Sequence, residues 1–265
     1  MTDILRMPRR AADRARRAVV RGALRLVPRA DQPELDPDLR RVSTIFGLAR
    51  AHELSVALAR VSYEVDGRTW SGRNPTGVTV TRSTLTLTGD QTGPARQLQL
   101  RSYVPQGQPG RPGAGMMYVH GGGFSIGSVG SHDHVCRVLA ARSGVAVQSV
   151  EYRLAPEHPF PAGLTDIVRL WGVLRARWID GGGDPDRFGV GGDSAGGHAA
   201  LVVADEALEP TLGVNVQMPG FLFAIYPATR SSELDGRVRT VLAKGGLLSG
   251  PMTARFTQLH VGDGD

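Results

Sequence analysis

A serine flanked by glycines is the first feature of this chain that could do chemistry. The pattern G-x-S-x-G is formed by Gly192, Asp193, Ser194, Ala195 and Gly196, with a strand-like run before it and a helix-like run after it. In such a pattern a sharp strand-to-helix turn holds the serine hydroxyl clear of the sheet, where it can attack an acyl carbon. The same pattern occurs by chance in ordinary tight turns, so the surrounding sequence has to supply further support for a nucleophile.

A run of three glycines forms the second candidate feature, in the segment HGGGF at residues 120–124. Backbone amides beside glycines are unobstructed and can converge on a developing oxyanion, and the amide of Ala195 can complete such an oxyanion hole. We expect His120 to support this loop through hydrogen bonds and not to act as a base.

A phosphate-binding loop is the alternative interpretation of these glycines. Gly121, Gly123 and Gly127 give the pattern G-x-G-x-x-x-G. That pattern is one residue longer than the dinucleotide-binding fingerprint, and no helix is predicted to begin directly on its glycines. The oxyanion loop is therefore the favoured interpretation.

The third feature is the proline-rich segment YRLAPEHPFPA at residues 152–162. Its polar residues are interleaved with prolines, which predicts a rigid, turn-rich loop. Glu157 and His158 are adjacent and could be taken for an acid/base pair. We predict a structural role for both, because adjacent positions flanked by prolines direct their side chains apart.

The elements that position these motifs alternate between strand and helix from Met116 onward. Short apolar runs separated by helical patterns of ten or more residues are typical of a parallel sheet buried on both faces, so the fold class is α/β. Upstream, alternating residues at 77–89 and 95–105 predict strands with one exposed face. The predicted buried strands lie at 116–119, 145–152, 187–192 and 221–227, and the predicted helices at 133–143, 162–178 and 196–208.

Composition excludes several other classes of protein. The net charge of +6 comes from the start of the chain, where a basic amphipathic helix is predicted, and no aromatic residue among those arginines offers a platform for nucleic-acid bases. No apolar run approaches the ~20 residues of a membrane span, and no secretory leader is evident, so we expect a cytoplasmic protein without stable membrane insertion. Contact of the basic helix with a membrane surface is an open alternative. A single cysteine, Cys136, excludes an internal disulfide.

The three motifs, in this order, resemble those of the bacterial hormone-sensitive-lipase-like esterases of the α/β-hydrolase fold. The resemblance spans about residues 113–259 and implies a three-layer sandwich with a mostly parallel sheet and a helical cap. It implies hydrolysis of small carboxylic esters with short or medium acyl chains, without metal or cofactor. By this resemblance Ser194 is the nucleophile, and the remaining site residues divide into amides of the oxyanion hole (Gly122, Gly123, Ala195) and supporting residues (His120, Gly121, Asp193).

A serine hydroxyl also needs a histidine to take its proton and a carboxylate to orient that histidine, in the order serine, acid, histidine. Only His198 and His260 follow Ser194. His198 lies on the helix that leaves the serine, where the resembling family usually has asparagine, and we do not expect it to act as the base. Asp235 and His260 occur in the required order, but His260 follows a segment that resembles a cap helix.

The family patterns that carry the acid and the base do not occur after Ser194. We therefore expect a C-terminally truncated member whose last strands are missing and whose ester hydrolysis is crippled; a catalytically inactive relative that binds a small ligand is the alternative. The expected organisation is a helical cap segment at residues 1–60 and an incomplete core at 61–265, with a cap-like insertion around 228–260. Without a neighbouring strand, the apolar residues 221–227 would form an exposed edge prone to self-association.

Overall fold

The structure, a computed structural model, describes residues 54–107, 113–229 and 250–261. The chain divides into two compact units. One consists of Met1–Ala59 with Ser232–Arg255, of which only residues 54–59 and 250–255 are described. The other consists of Arg60–Ser231 with Phe256–Asp265, and it contains the sheet and every side chain discussed below.

Strands and helices alternate through the second half of the described chain. The strands are β1 (Val78–Leu87), β2 (Arg96–Pro105), β3 (Ala114–Val119), β4 (Val145–Val150), β5 (Phe188–Asp193) and β6 (Leu222–Ile225). The helices are α1 (Val56–Trp70), α2 (Asp133–Ser143), α3 (Ala162–Asp180), α4 (Ala195–Leu208) and α5 (Gly250–Val261).

The six strands form one mixed sheet in the order β1-β2-β4-β3-β5-β6. β2 runs antiparallel to both β1 and β4, whereas β3, β4, β5 and β6 are mutually parallel. In the central register Val119 of β3 lies opposite Gly192 of β5. The carboxyl ends of these two strands therefore meet at one edge of the sheet, which is where the glycine loop and the serine turn begin.

Alternate residues of β3 enter two separate cores. Met116 and Tyr118 pack with Cys136 and other residues on the α2 face, while Met117 and Val119 pack with residues from α3 and α4 on the opposite face. Successive side chains of a strand point to opposite faces, so a fully apolar strand requires a layer on each side. The predicted α/β class and three-layer sandwich are confirmed.

The sequence predicted the central elements within a few residues, but not α1. The expected helical segment at residues 1–60 falls mostly outside the described residues, while α1 continues to Trp70. Val61, Tyr63 and Val65 in this part of α1 have weak helical propensity. Contacts with the rest of the chain come from Arg60, which bonds to Ser125 and Ala155, and from Tyr63, whose ring centroid lies 6.0 Å from that of His132. The predicted division into a cap segment and a core stays a prediction.

Strand β6 is the last strand of the sheet in the described part of the chain. It pairs with β5 on one side, and two of its large apolar residues, Leu222 and Phe223, are each 39% exposed. Within the described residues no other strand pairs with β6, and the expected self-association stays a prediction. Across the residues that the structure covers, no helix has the length and apolar character that crossing a bilayer requires.

A buried carboxylate ties the proline-rich loop to the sheet and to α3. Asp166 is fully buried and accepts hydrogen bonds from Arg96 Nε at 2.8 Å and from Arg153 Nε at 2.8 Å. Arg153 also donates to the carbonyl of Thr92 at 2.7 Å. A buried charge is tolerated only when it is paired and hydrogen-bonded, and here the pairing joins three separate segments.

The first prediction concerns this network. Asp166→Asn leaves the Arg153 guanidinium buried without its main counter-charge, so the free energy of unfolding should fall by about 3 to 5 kcal/mol. Denaturant titration followed by circular dichroism measures the loss. The matched control is Asp180→Asn on the exposed end of the same helix, which should change stability little. A loss below about 1 kcal/mol in Asp166→Asn would contradict the proposed importance of the network.

Candidate active site

Ser194 occupies a strained turn between a strand and a helix. β5 ends at Asp193 and α4 begins at Ala195, and Ser194 between them has φ 52° and ψ −117°. Residues other than glycine rarely adopt positive φ, and such strain costs on the order of 1 to 3 kcal/mol. Ser194 is half-buried whereas its sequence neighbours are buried, so the turn leaves this one side chain accessible.

The flanking glycines are required by close approach of backbone. A Cβ on Gly192 or on Gly196 would overlap the carbonyl oxygen of Val119 at the end of β3. A Cβ on Gly196 would also lie 2.8 Å from the carbonyl oxygen of His120. Because these obstacles are backbone atoms, no side-chain movement can relieve them. The close approach of β3 therefore explains why both flanking positions of the G-x-S-x-G pattern are glycine.

The glycine loop folds back on itself directly beside this turn. Gly122 has φ 120°, a conformation that favours glycine, and its carbonyl accepts the amides of Ser125 at 3.0 Å and Ile126 at 2.9 Å. Among the described residues, no hydrogen bond engages the amides of Gly122, Gly123 or Ala195. No helix begins on these glycines, since α2 begins at Asp133, which disfavours the phosphate-loop alternative.

Asp193 links the serine turn to the glycine loop. Its Oδ1 accepts hydrogen bonds from the amide of Gly121 at 3.1 Å and from the hydroxyl of Tyr118 at 2.8 Å, and it lies 3.3 Å from His132 Nε2. Burial alone raises the pKa of Asp193, but the hydrogen bonds and charge of His132, together with Tyr118 and Gly121, outweigh it and hold the pKa below its usual value. The carboxylate therefore stays ionised and keeps Gly121 against β5.

His120 is engaged away from the serine. It is fully buried, stacks on Tyr152 with ring centroids 4.4 Å apart, and accepts the Tyr152 hydroxyl on its carbonyl at 2.8 Å. Its Nδ1 lies 2.9 Å from the carbonyl oxygen of Gly121, and its Nε2 lies 3.5 Å from Glu151 Oε2. Both ring nitrogens thus face groups other than Ser194, and the supporting role of His120 stays a prediction.

The two histidines that follow Ser194 both pack around Phe124. His260 stacks on Phe124 with centroids 4.3 Å apart, and His198 meets the same ring edge-on at 6.0 Å. Burial, with a smaller contribution from nearby His198, lowers the pKa of His260 to about 4, and burial lowers the pKa of His198 as well. Within the described ranges neither ring hydrogen-bonds to the Ser194 hydroxyl. Asp235 lies outside the described residues.

The structure also shows contacts that the motifs did not indicate. His132 beside Asp193 and Phe256 against Gly123 come from segments with no distinctive pattern. For Tyr118, whose hydroxyl bonds to Asp193 at the end of β5, the alternating side-chain directions along β3 were the only signal in the sequence. Glu157 faces Arg60, not His158, in keeping with a structural role. Across the described residues, no three His, Cys, Asp or Glu side chains are grouped so that they could hold a metal ion.

A mostly parallel sheet whose central strand ends in a strained serine turn is the arrangement of the α/β hydrolases. A family model described as alpha/beta hydrolase fold matches residues 116–265, more than half of the chain. The chain therefore belongs to this family, and the resemblance drawn from its three motifs is confirmed.

Two curated relatives carry the names of ester hydrolases. Carboxylesterase NlhH of Mycobacterium tuberculosis is 43% identical over 121 residues, which are 43% of this chain and 34% of that protein. The ethyl acetate hydrolase of Pseudomonas putida is 32% identical over 205 residues, which are 75% of this chain and 62% of that protein. In both comparisons the chain spans less than two thirds of the relative.

Solved structures give the same fold. An α/β hydrolase enzyme from the metagenome of Lake Arreo has a TM-score of 0.77 and 33% identity, with 88% of this chain and 73% of that chain covered. A hyperthermophilic esterase from Pyrobaculum calidifontis has a TM-score of 0.71 and 31% identity, with 86% and 71% covered. The mixed sheet and the helices described above are therefore similar to those of solved α/β-hydrolase structures.

The second prediction tests the close approach at the serine turn. Gly196→Ala places a methyl group against the backbone of β3, so the free energy of unfolding should fall by about 1 to 3 kcal/mol. The control is Gly172→Ala in α3. There the new Cβ would lie 3.6 Å from Val216 Cγ1, an ordinary contact, so this substitution should stabilise the helix by about 0.5 to 1 kcal/mol. Thermal and denaturant unfolding of both variants measures the difference. Equal stabilities for the two variants would contradict the packing argument.

Proposed function

We propose that this chain carries the nucleophile and the oxyanion hole of a carboxylic ester hydrolase that works through an acyl-enzyme on Ser194. The observation that supports the proposal most strongly is the positive φ of Ser194 at the end of β5, because such strain persists where function requires it. The names of the relatives, which include carboxylesterases and an ethyl acetate hydrolase, support the same reaction class.

In the proposed reaction the Ser194 oxygen attacks the ester carbonyl carbon while its proton passes to a base. The amides of Gly122, Gly123 and Ala195, which have no other partner among the described residues, would donate to the tetrahedral oxyanion. Collapse of this intermediate breaks the bond to the alcohol oxygen, which takes the proton and leaves. Water then attacks the acyl group in a second cycle of the same kind.

The weak part of the proposed site is activation of the serine. In the described residues no imidazole bonds to the Ser194 hydroxyl, and His260, with a pKa of about 4, is a poor proton acceptor at neutral pH. We propose that hydrolysis by this chain is correspondingly slow. In related triad systems an oxyanion hole and a binding cleft without the triad retain only ~10³ to 10⁴ of rate enhancement over water.

The proposed substrates are small-molecule esters with short acyl chains. Phe256 of α5 packs directly on the glycine loop, since a Cβ on Gly123 would lie 2.5 Å from its Cγ. A ring in this position occupies space beside the proposed oxyanion hole and leaves little room for a long chain. A cytoplasmic location and self-association through β6 are further parts of the proposal.

The third prediction tests the nucleophile. Wild-type chain should hydrolyse p-nitrophenyl acetate slowly and become labelled by a fluorophosphonate on Ser194. Ser194→Ala should lose both properties, because the acyl-enzyme is proposed to form on the Ser194 hydroxyl. Ser83→Ala, on an exposed position of β1, is the matched control and should behave as wild type. Turnover that persists in Ser194→Ala would sink the proposed mechanism.

A binding protein with the same cleft is the second candidate, and the missing imidazole partner of Ser194 among the described residues favours it. Such a protein would be stabilised against heat by a small carboxylate or ester and would show neither turnover nor fluorophosphonate labelling. The same samples therefore decide between the two functions.

The fourth prediction concerns acyl-chain length. Phe256→Ala should raise the rate for p-nitrophenyl octanoate relative to the acetate by about tenfold, since removal of the ring frees space worth about 1 to 3 kcal/mol of apolar contact. Phe160→Ala is the control, because Phe160 meets His260 edge-on and is 49% exposed. The ratio of kcat/KM values measures the effect. An unchanged ratio in Phe256→Ala would place the acyl chain elsewhere.

A further inference from the structure

One guanidinium from outside the three motifs connects the residue that follows the glycine motif to the proline-rich segment. Arg60 of α1 donates from Nε to the carbonyl oxygen of Ser125 at 2.8 Å and from Nη2 to the carbonyl oxygen of Ala155 at 2.9 Å. It also forms a two-point pair with Glu157, with Nη1 to Oε1 at 2.8 Å and Nη2 to Oε2 at 2.7 Å. A planar donor fork of this kind fixes direction as well as distance.

Ser125 is the residue that closes the glycine loop. Its amide donates to the carbonyl of Gly122 at 3.0 Å, and its hydroxyl donates to the carbonyl of Gly123 at 3.1 Å. Ser125 is completely buried, so its carbonyl oxygen cannot turn to solvent for another partner. The hydrogen bond from Arg60 therefore fixes Ser125, whose own amide and hydroxyl bond to the carbonyls of Gly122 and Gly123.

The second carbonyl belongs to the proline-rich loop and is coupled to the first. The amide of Ala155 donates to the carbonyl of Phe124 at 2.8 Å, and Phe124 itself has φ 55°. Arg60 thus joins the carbonyls of Ser125 and Ala155, two segments that are also linked by the hydrogen bond between Ala155 and Phe124. Motion of either loop would break at least one of its bonds.

We propose that Arg60 is a positioning residue that fixes the amides of Gly122 and Gly123 by bridging the carbonyls of Ser125 and Ala155. The inference rests on the proposed function, because it assigns Arg60 to the same oxyanion hole. Glu157 orients the guanidinium and is 55% exposed at its side chain, so the carbonyl bonds, and not the ion pair, carry the effect.

Four variants separate these contributions. Arg60→Ala removes every bond, and Arg60→Lys keeps the charge but lacks the fork that spans two carbonyls. Glu157→Gln keeps the guanidinium and weakens only the exposed pair. Arg82→Ala removes an exposed arginine from β1 and controls for loss of charge.

Hydrogen exchange followed by mass spectrometry tests the positioning without any need for turnover. In Arg60→Ala the amides of Ser125, Ile126 and Ala155 should exchange at least about tenfold faster, because their local opening no longer breaks the arginine bonds. Peptides from α3 should exchange as in wild type. Unchanged exchange in the loop, or an acceleration spread evenly over the chain, would overturn the inference.

Kinetics with p-nitrophenyl acetate supplies the second readout. kcat should fall by about tenfold or more in Arg60→Ala and in Arg60→Lys with little change in KM, since small displacements of positioned groups affect the transition state. Glu157→Gln should stay within about fivefold of wild type, and Arg82→Ala should match it. An equal loss in Glu157→Gln would overturn the carbonyl bridge. Absence of wild-type turnover would count against the proposed function, and the exchange experiment would still decide the role of Arg60.

Discussion

The approach of two backbone segments at the end of β3 and the end of β5 is the constraint on which the site depends. The carbonyl oxygen of Val119 occupies the space where Gly192 or Gly196 would carry a Cβ. The register that sets Val119 opposite Gly192 makes this contact unavoidable. The chain turns sharply between Gly192 and Gly196, which carry no Cβ, and Ser194 in that turn takes the strained conformation. The loop that leaves β3 begins beside it.

A single carboxylate keeps the two segments in contact once they have met. Asp193 is almost fully buried, and an isolated charge at such a place would be costly. Its three partners offset that cost, and one of them, the amide of Gly121, belongs to the opposing loop. Asp166 plays a comparable part for the proline-rich loop through Arg153. Each of the two loops around the serine is thus anchored by its own buried aspartate.

Local rules predicted the central part of the molecule well because the information is local. The alternation of short apolar runs with helical patterns gave β3 to β6 and α2 to α4, and the glycine spacing gave the serine turn. The contacts of Arg60 with Ser125 and Ala155 join positions more than sixty residues apart, and nothing in either segment announces the other. The part of α1 beyond residue 60 escaped prediction because Val61, Tyr63 and Val65 have weak helical propensity.

In the proposed site, stabilisation of the oxyanion and transfer of the serine proton depend on different groups. The amides of the glycine loop are placed by the fold itself and do not change protonation, so the proposed oxyanion hole requires only that β3 and β5 meet. A base must instead keep its basicity, which requires solvent or a carboxylate partner. His260 is half-buried against Phe124, and this partial burial lowers its pKa to about 4. The packing that places this imidazole over the loop thus weakens it as a proton acceptor, which fits a covering role better than a catalytic one.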